Sequence, residues 1–320
     1  MNKASARPRS PETDPGRGRL TIGSASRQWT AELARAGVEE AAADVRRLVA
    51  AVLGISAARA LAEPERPLAP AELATLRGHM ARRARREPVS RILGWREFYG
   101  RPFAITPATL DPRPDTETLV GAALEVARAE GWERWPGLRI LDVGTGSGCL
   151  LLTLLCEVSG ARGTGTDISP AALAVARANA ERLQVANRVS WLRADALEAV
   201  SGTFHMLVSN PPYVRSGEIA CLDPEVCCFD PASALDGGTD GMALYRRLAA
   251  RLASIVPGGW TILEVGYDQA DAVAAIVTEA LGSAAVAEVR IYRDVAGRRR
   301  CVAVKSRAGT CAQKALGLSH

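Results

Sequence analysis

Arg139-Ile140-Leu141-Asp142-Val143-Gly144-Thr145-Gly146-Ser147-Gly148-Cys149-Leu150 joins a short apolar run to a glycine-rich turn and then to the leucines of an apolar helix. A run this short, stopped by glycine, reads as a buried strand, and glycines at the turn let the chain reverse sharply and let a ligand touch the backbone. The same alternation continues downstream. A strand ends at Asp167 and a helix follows from Ser169 to Leu183. Val189–Leu192 is a strand ending near Asp195, and Met206–Ser209 is the next. Trp260–Val265 follows the Pro-Gly-Gly turn at 257–259. Ala287–Tyr292 and Arg300–Val304, joined through Gly297, read as an antiparallel pair. Strands alternating with helices imply an α/β fold with a Rossmann-like, seven-stranded, mostly parallel sheet closed by an antiparallel hairpin.

A ligand of such a sheet sits beyond the carboxyl ends of the strands, near the point where strand order reverses. Gly144, Gly146 and Gly148 lie there, and Asp167 is placed to accept both hydroxyls of a ribose. Asp195 lies near where an adenine amino group would sit. The glycines read GxGxG, because Cys149 stands where a pyrophosphate-binding GxGxxG carries its next positions. Asp142, two residues before Gly144, repels a pyrophosphate but suits an ammonium group. These features favour S-adenosylmethionine over a nicotinamide dinucleotide, whose dehydrogenases are the third-ranked alternative.

Asn210-Pro211-Pro212-Tyr213 ends the apolar run His205–Ser209. Two prolines cannot continue a ladder, so the chain leaves the sheet as a stiff loop without N–H groups at 211 and 212. The Asn210 side-chain oxygen and the Pro211 carbonyl can accept the two hydrogens of an NH2 group, and Tyr213 can lie against a planar amide or base. Held so, the nitrogen pyramidalises and turns its lone pair towards an electrophile, which favours the transition state over the ground state.

The chain has 320 residues, 48% hydrophobic and 23% charged, with no apolar run long enough for a membrane span. Its formal charge is +5, but residues 1–27 hold six basic and two acidic side chains, so almost all of the excess lies in that tail. The remainder is near neutral, and direct nucleic-acid binding is not expected. The cluster Arg82, Arg83, Arg85, Arg86 suits either an acidic protein or RNA partner or a solvated helix face. Seven cysteines without CxxC spacing argue against a disulfide framework and a metal site, so no metal and a cytoplasmic setting are expected. Organisation reads as a disordered tail (1–27), a helical docking domain (28–93), a hairpin linker (94–117), the catalytic domain (118–306) and a C-terminal tail (307–320). The linker ends in Asp111-Pro112-Arg113-Pro114-Asp115-Thr116-Glu117, which suits either a rigid connection with a helix cap at Asp115 or Thr116 or a lid over the cofactor site.

Glu97-Phe98-Tyr99-Gly100, Pro112 to Glu117, Asp142 to Gly148, Asn210 to Tyr213 and Asp236-Gly237-Gly238-Thr239-Asp240-Gly241 occur in the order found in the bacterial release-factor glutamine methyltransferases, the PrmC/HemK family, which the chain resembles from about 30 to 306. The resemblance implies methylation of the side-chain amide of the glutamine in the GGQ loop of peptide chain release factors; a monomer is expected. It assigns Asp142, Gly144, Thr145, Gly146, Ser147, Gly148, Asp167, Asp195, Ala196 and Asn210 to S-adenosylmethionine, and Asn210, Pro211, Pro212 and Tyr213 to the substrate amide. The family usually has Glu where Asp115 and Asp230 stand and often Arg where Cys227 stands, exchanges that would shorten or remove contacts in the lid and in the loop after Tyr213. Amino-group methylation of a DNA adenine or of RNA uses the same four-residue clamp and is the nearest alternative. A non-catalytic S-adenosylmethionine-binding module is the other.

Overall fold

The computed structural model describes residues 20–307, which divide into two compact units between Leu93 and Gly94. In the first unit, helices span Ile22–Arg35, Ala41–Leu53, Ala57–Ala62, Pro70–Ala84 and Val89–Leu93. Its core is built from Ile22, Trp29, Leu33, Leu48, Leu76 and Met80. The first helix begins at Ile22, so residues 22–27 do not belong to a disordered tail. Thr21 and Ser24 cap it reciprocally, while Ile22 and Ala25 are buried, and these few apolar side chains outweigh the Ser/Arg-rich composition around them. Residues 1–19 of that tail and residues 308–320 lie outside the described residues. Two members of the basic cluster are engaged within the unit, Arg82 with Glu87 at 2.6 Å and buried Arg83 with Asp44 at 2.8 Å, while Arg85 is exposed.

The second unit opens with a hairpin of β1 (Trp95–Phe98) and β2 (Arg101–Ala104). The main sheet contains β3 (Arg139–Val143), β4 (Arg162–Asp167), β5 (Val189–Arg193), β6 (Met206–Ser209), β7 (Trp260–Glu264), β8 (Val286–Arg293) and β9 (Arg299–Ser306). Their order is β5-β4-β3-β6-β7-β9-β8, parallel except for β9, which runs antiparallel to both of its neighbours. The order reverses between β3 and β6, the place where open α/β sheets put their ligands.

Alternate residues of the central strands feed two separate cores. Ile140, Met206, Val208, Trp260 and Ile262 join one cluster with the helices Glu117–Ala129 and Cys149–Glu157. Leu141, Leu207, Leu263, Val302 and Val304 join the other with the helices Ala243–Ala249 and Ala270–Leu281. Burial on both faces is why these strands read as continuous apolar runs instead of alternating ones. His205, which opens the run before Asn210, is 2% exposed and accepts the Arg139 N–H through Nδ1, with Trp132 and Trp135 packed edge-on against its ring.

Candidate active site

A cavity of about 570 Å³ opens at the carboxyl ends of β3, β4, β5 and β6. The glycine turn forms its floor. Gly144, Gly146 and Gly148 have φ of +71°, +55° and +79°, a left-handed backbone that side chains with a Cβ adopt at a cost. Added Cβ atoms at 144 and 146 would meet open space, so these two positions need glycine for backbone conformation alone; at 148 Leu152 and Ala176 also crowd in. Asn179 fastens the turn from behind. It donates to the Ser147 carbonyl at 2.9 Å and exchanges two bonds with the Ala104 backbone, tying turn to hairpin.

Asp142 is 1% exposed, and its Oδ2 accepts the Thr145 hydroxyl at 2.5 Å. Burial pushes its carboxyl up to about 7 against the pull of that bond. Asp167 ends β4 and accepts the Gly146 N–H at 2.9 Å on one oxygen and the Ser169 N–H at 2.9 Å on the other. Each oxygen keeps a second lone pair for a ligand hydroxyl. Asp195 and Ala196 line the wall beyond β5, where Ala196 holds a φ of +52° and Asp195 pairs with Arg247 at 2.9 Å.

The exit of β6 stands beside this floor. Met206–Val208 pair with Ile140–Asp142 of β3, and the Ser209 hydroxyl donates to the Val143 carbonyl at 2.7 Å. Asn210 therefore emerges next to Gly144, and Asn210 and Pro212 share the cavity wall with the whole 142–147 stretch. Pro211 and Tyr213 do not line it. Pro211 is buried, and the Tyr213 ring packs against the second core cluster, where burial drives its phenol up to about 12. Asn210 Nδ2 donates to Thr116 Oγ1 at 3.1 Å, so its Oδ1 is the amide atom left for the cavity.

Residues 108–116 form the opposite wall through Ala108, Thr109, Leu110, Pro112 and Thr116. Neither Asp115 nor Thr116 caps the following helix: the Asp115 side chain bridges to Arg300 at 2.9 Å and Thr116 receives Asn210. Local capping rules lose here to tertiary partners. Asp230, fully buried, takes Arg113 Nη2 at 2.5 Å and the Asp111 N–H at 3.1 Å. Asp115 and Asp230 thus each hold an arginine partner.

Two elements support the corner from behind, and only the second, the 236–241 loop, stood out in the sequence. Gln269, 4% exposed, accepts the Gly266 N–H and donates to the Tyr213 carbonyl at 2.9 Å. The 236–241 loop clasps the same segment: the Val214 carbonyl accepts the Gly237 N–H at 2.8 Å, and the Gly238 carbonyl accepts the Ser216 N–H at 3.0 Å.

Residues 24–94 match the family model described as the PrmC N-terminal domain, and residues 131–222 match the methyltransferase small domain. The chain is 46% identical over 274 residues to a release factor glutamine methyltransferase of Rhodospirillum rubrum, covering 85% of this chain and 81% of that one. A release factor glutamine methyltransferase of Bradyrhizobium diazoefficiens is 44% identical over 294 residues, covering 92% and 97%. Among solved structures, the hMettl16 catalytic domain in complex with MAT2A 3'UTR hairpin 6 is similar at a TM-score of 0.53 and 16% identity, over 71% of this chain and 81% of that one, a likeness of fold alone.

Proposed function

Because the chain belongs to the release factor glutamine methyltransferase family, we propose that it methylates the side-chain amide nitrogen of the glutamine in the GGQ loop of peptide chain release factors, in the cytoplasm. Enzymes of this family use S-adenosylmethionine, and the residues of the cavity suit it. A buried acid at the glycine turn offers an anion to an ammonium end, and Asp167 offers free lone pairs to a ribose. The Asp195–Ala196 wall and the bare backbone of Gly144–Gly148, with Thr145 and Ser147, complete the cradle. Bound there, the cofactor supplies an electrophilic methyl on a sulfonium.

The observation that supports this reading most is the juxtaposition of Asn210 with the glycine turn, held by the Ser209–Val143 bond. Asn210 Oδ1 takes an amide hydrogen of the substrate, which keeps the nitrogen from sharing its lone pair fully with its own carbonyl. Positioning of this kind supplies several kcal/mol of catalysis. No side chain acts as a general base: the methylated amide is acidic enough to pass its proton to water. The Tyr213 ring braces the loop from the core side instead of lying on the substrate, in keeping with its packing.

The deciding experiment incubates the protein with methyl-labelled S-adenosylmethionine and purified release factors. Label enters the wild-type factor and is absent when the GGQ glutamine is replaced. Label on DNA or RNA with none on the factor would establish the nucleobase alternative, and tight cofactor binding without any transfer the non-catalytic one.

Cofactor affinity carries a pH signature. Asp142 in the free protein ionises near 7, while a neighbouring ammonium favours the ionised form. Affinity is therefore full above about pH 7.5 and falls by up to about tenfold per unit below 7, since each pKa unit is worth about 1.4 kcal/mol. Calorimetric titration from pH 5.5 to 8.5 reads this slope, and Asp142→Asn binds weakly at every pH without it. A wild-type affinity that is flat across the range would remove Asp142 from the ammonium site.

A further inference from the structure

Glu264 is the last residue of β7, and its side chain is buried, with 1% exposure. Ser209 and Leu263 are register partners on the parallel strands β6 and β7, so Asn210 and Glu264 leave the sheet side by side. Its Oε2 has no hydrogen-bond partner, and Thr116 and Asn210, which bond each other at 3.1 Å, lie near enough to favour its ionised form. Among the described residues it makes no ion pair. Arg300, whose charge it feels from β9, is engaged by Asp115 at 2.9 Å and Asp294 at 3.1 Å. The other titratable groups around it are Tyr213 on the loop after β6, Tyr245 (whose hydroxyl donates to the Glu264 backbone carbonyl at 2.7 Å), Cys301 on β9 and Cys149 at the start of its helix. Glu264 does not line the cavity, whereas Thr116 and Asn210 do.

A buried carboxyl without a cation costs several kcal/mol more than an apolar side chain of the same size. What it offers in return here is asymmetry. An amide such as Asn210 presents an oxygen on one side and an NH2 on the other, two faces of nearly equal shape. An ionised carboxyl only accepts hydrogen bonds, so it draws the NH2 and repels the oxygen. A glutamine in its place could donate as well as accept, and would hold Asn210 in either orientation.

We propose that Glu264 is a positioning residue for the methyl-transfer reaction: its ionised carboxyl turns the Asn210 NH2 and the Thr116 hydroxyl towards itself and thereby fixes Asn210 Oδ1 as the acceptor that faces the substrate. This rests on the reading of Asn210 as the substrate-amide clamp. Protonation undoes the selection, because a carboxylic acid can donate to Asn210 Oδ1 and let the amide flip. Burial, with the negative charge of Asp115, holds the Glu264 carboxyl up at about 7, opposed by Thr116, the charge of Arg300 and Asn210. The clamp is then correctly set above neutral pH and loses its orientation as pH falls through that range.

The test compares wild type, Glu264→Gln and Glu264→Asp in kcat at saturating cofactor and release factor from pH 5.5 to 8.5, with cofactor Kd and thermal midpoint measured alongside. Wild-type kcat falls by up to tenfold per unit below about pH 7. Glu264→Gln lowers kcat at pH 8 by at least tenfold, loses that acid limb and keeps its cofactor Kd within twofold. Glu264→Asp recovers part of the turnover and keeps the limb. Titration of Asp142 is read in the Kd and not in a kcat at saturation, so the two carboxyls are separable. A Glu264→Gln enzyme with wild-type kcat and an unchanged acid limb overturns the proposal, as does a loss of kcat matched by an equal loss of cofactor binding. If wild type itself leaves release factors unmethylated, the functional reading fails first and independently of Glu264.

Discussion

Replacing Asn210 with Ala lowers kcat by two to three orders of magnitude and leaves S-adenosylmethionine affinity within about twofold. The size follows from what the side chain does: removing one preorganised hydrogen-bonding group at a reacting centre costs about 2.7–4 kcal/mol of transition-state stabilisation. Asn210 Nδ2 is already spent on Thr116 at 3.1 Å, so its Oδ1 is the atom whose loss is felt in the cavity. The cofactor cradle is assembled from other elements, the turn after β3 and the ends of β4 and β5, with Asp142 and Asp167 held by Thr145, Gly146 and Ser169. Truncating Asn210 touches none of those bonds. Equal losses of turnover and of cofactor affinity would mean that the residue shapes the pocket as a whole, and its role as a clamp would fall. Asn210→Asp makes the sharper comparison. An aspartate can still accept an N–H, but it places a second negative charge beside the Glu264 carboxyl, so it restores little of the lost rate at neutral pH.

Much of this arrangement could be read from residue order because each piece obeys a local rule. Apolar runs such as Arg139–Val143 and Met206–Ser209 are buried on both faces, and each is stopped by residues that cannot continue a ladder. The glycine turn and the Pro-Pro corner are stretches of backbone whose conformation is set by their own covalent geometry. What stayed hidden depends on partners far away in the chain. Glu264 ends its strand as many surface acids do, and nothing in Trp-Thr-Ile-Leu-Glu marks it as buried against position 210. Asp115 and Thr116 have the residue types of helix caps, yet their partners are Arg300 and Asn210, close to two hundred and one hundred positions away. Asn179 is one polar residue among the alanines of its helix, but it bonds both the hairpin and the glycine turn. The first helix fails for the opposite reason: its amphipathic pattern begins inside a stretch whose composition resembles a disordered tail.

Gly241→Ala, at a residue that touches no ligand, is expected to cost at least tenfold in kcat together with several degrees of thermal midpoint. A Cβ at this position would lie 2.5 Å from the Tyr213 carbonyl oxygen and 2.7 Å from Gln269 Nε2, far inside contact distance and against atoms that bond each other at 2.9 Å. Neither can step aside freely. The other end of the Gln269 amide accepts the Gly266 N–H, and the Tyr213 carbonyl belongs to the corner that carries Asn210. The substitution thus breaks a buried hydrogen bond, at about 1–3 kcal/mol, and adds about 1–2 kcal/mol for placing a side chain at a φ of +76°. It also pushes the corner itself, and a displacement of about 1 Å in a positioning element is enough to cost about a hundredfold in rate. Gly131→Ala separates the two contributions. Its φ of +71° imposes the same backbone penalty, but a Cβ there meets nothing within 4 Å, so it lowers the midpoint slightly and leaves kcat alone. If both variants lose the same stability and neither loses turnover, the 236–241 loop is only a packing element and the corner does not need its support. If Gly241→Ala alone loses turnover, the geometry of the clamp is held from behind, by residues that a search for reactive groups would pass over.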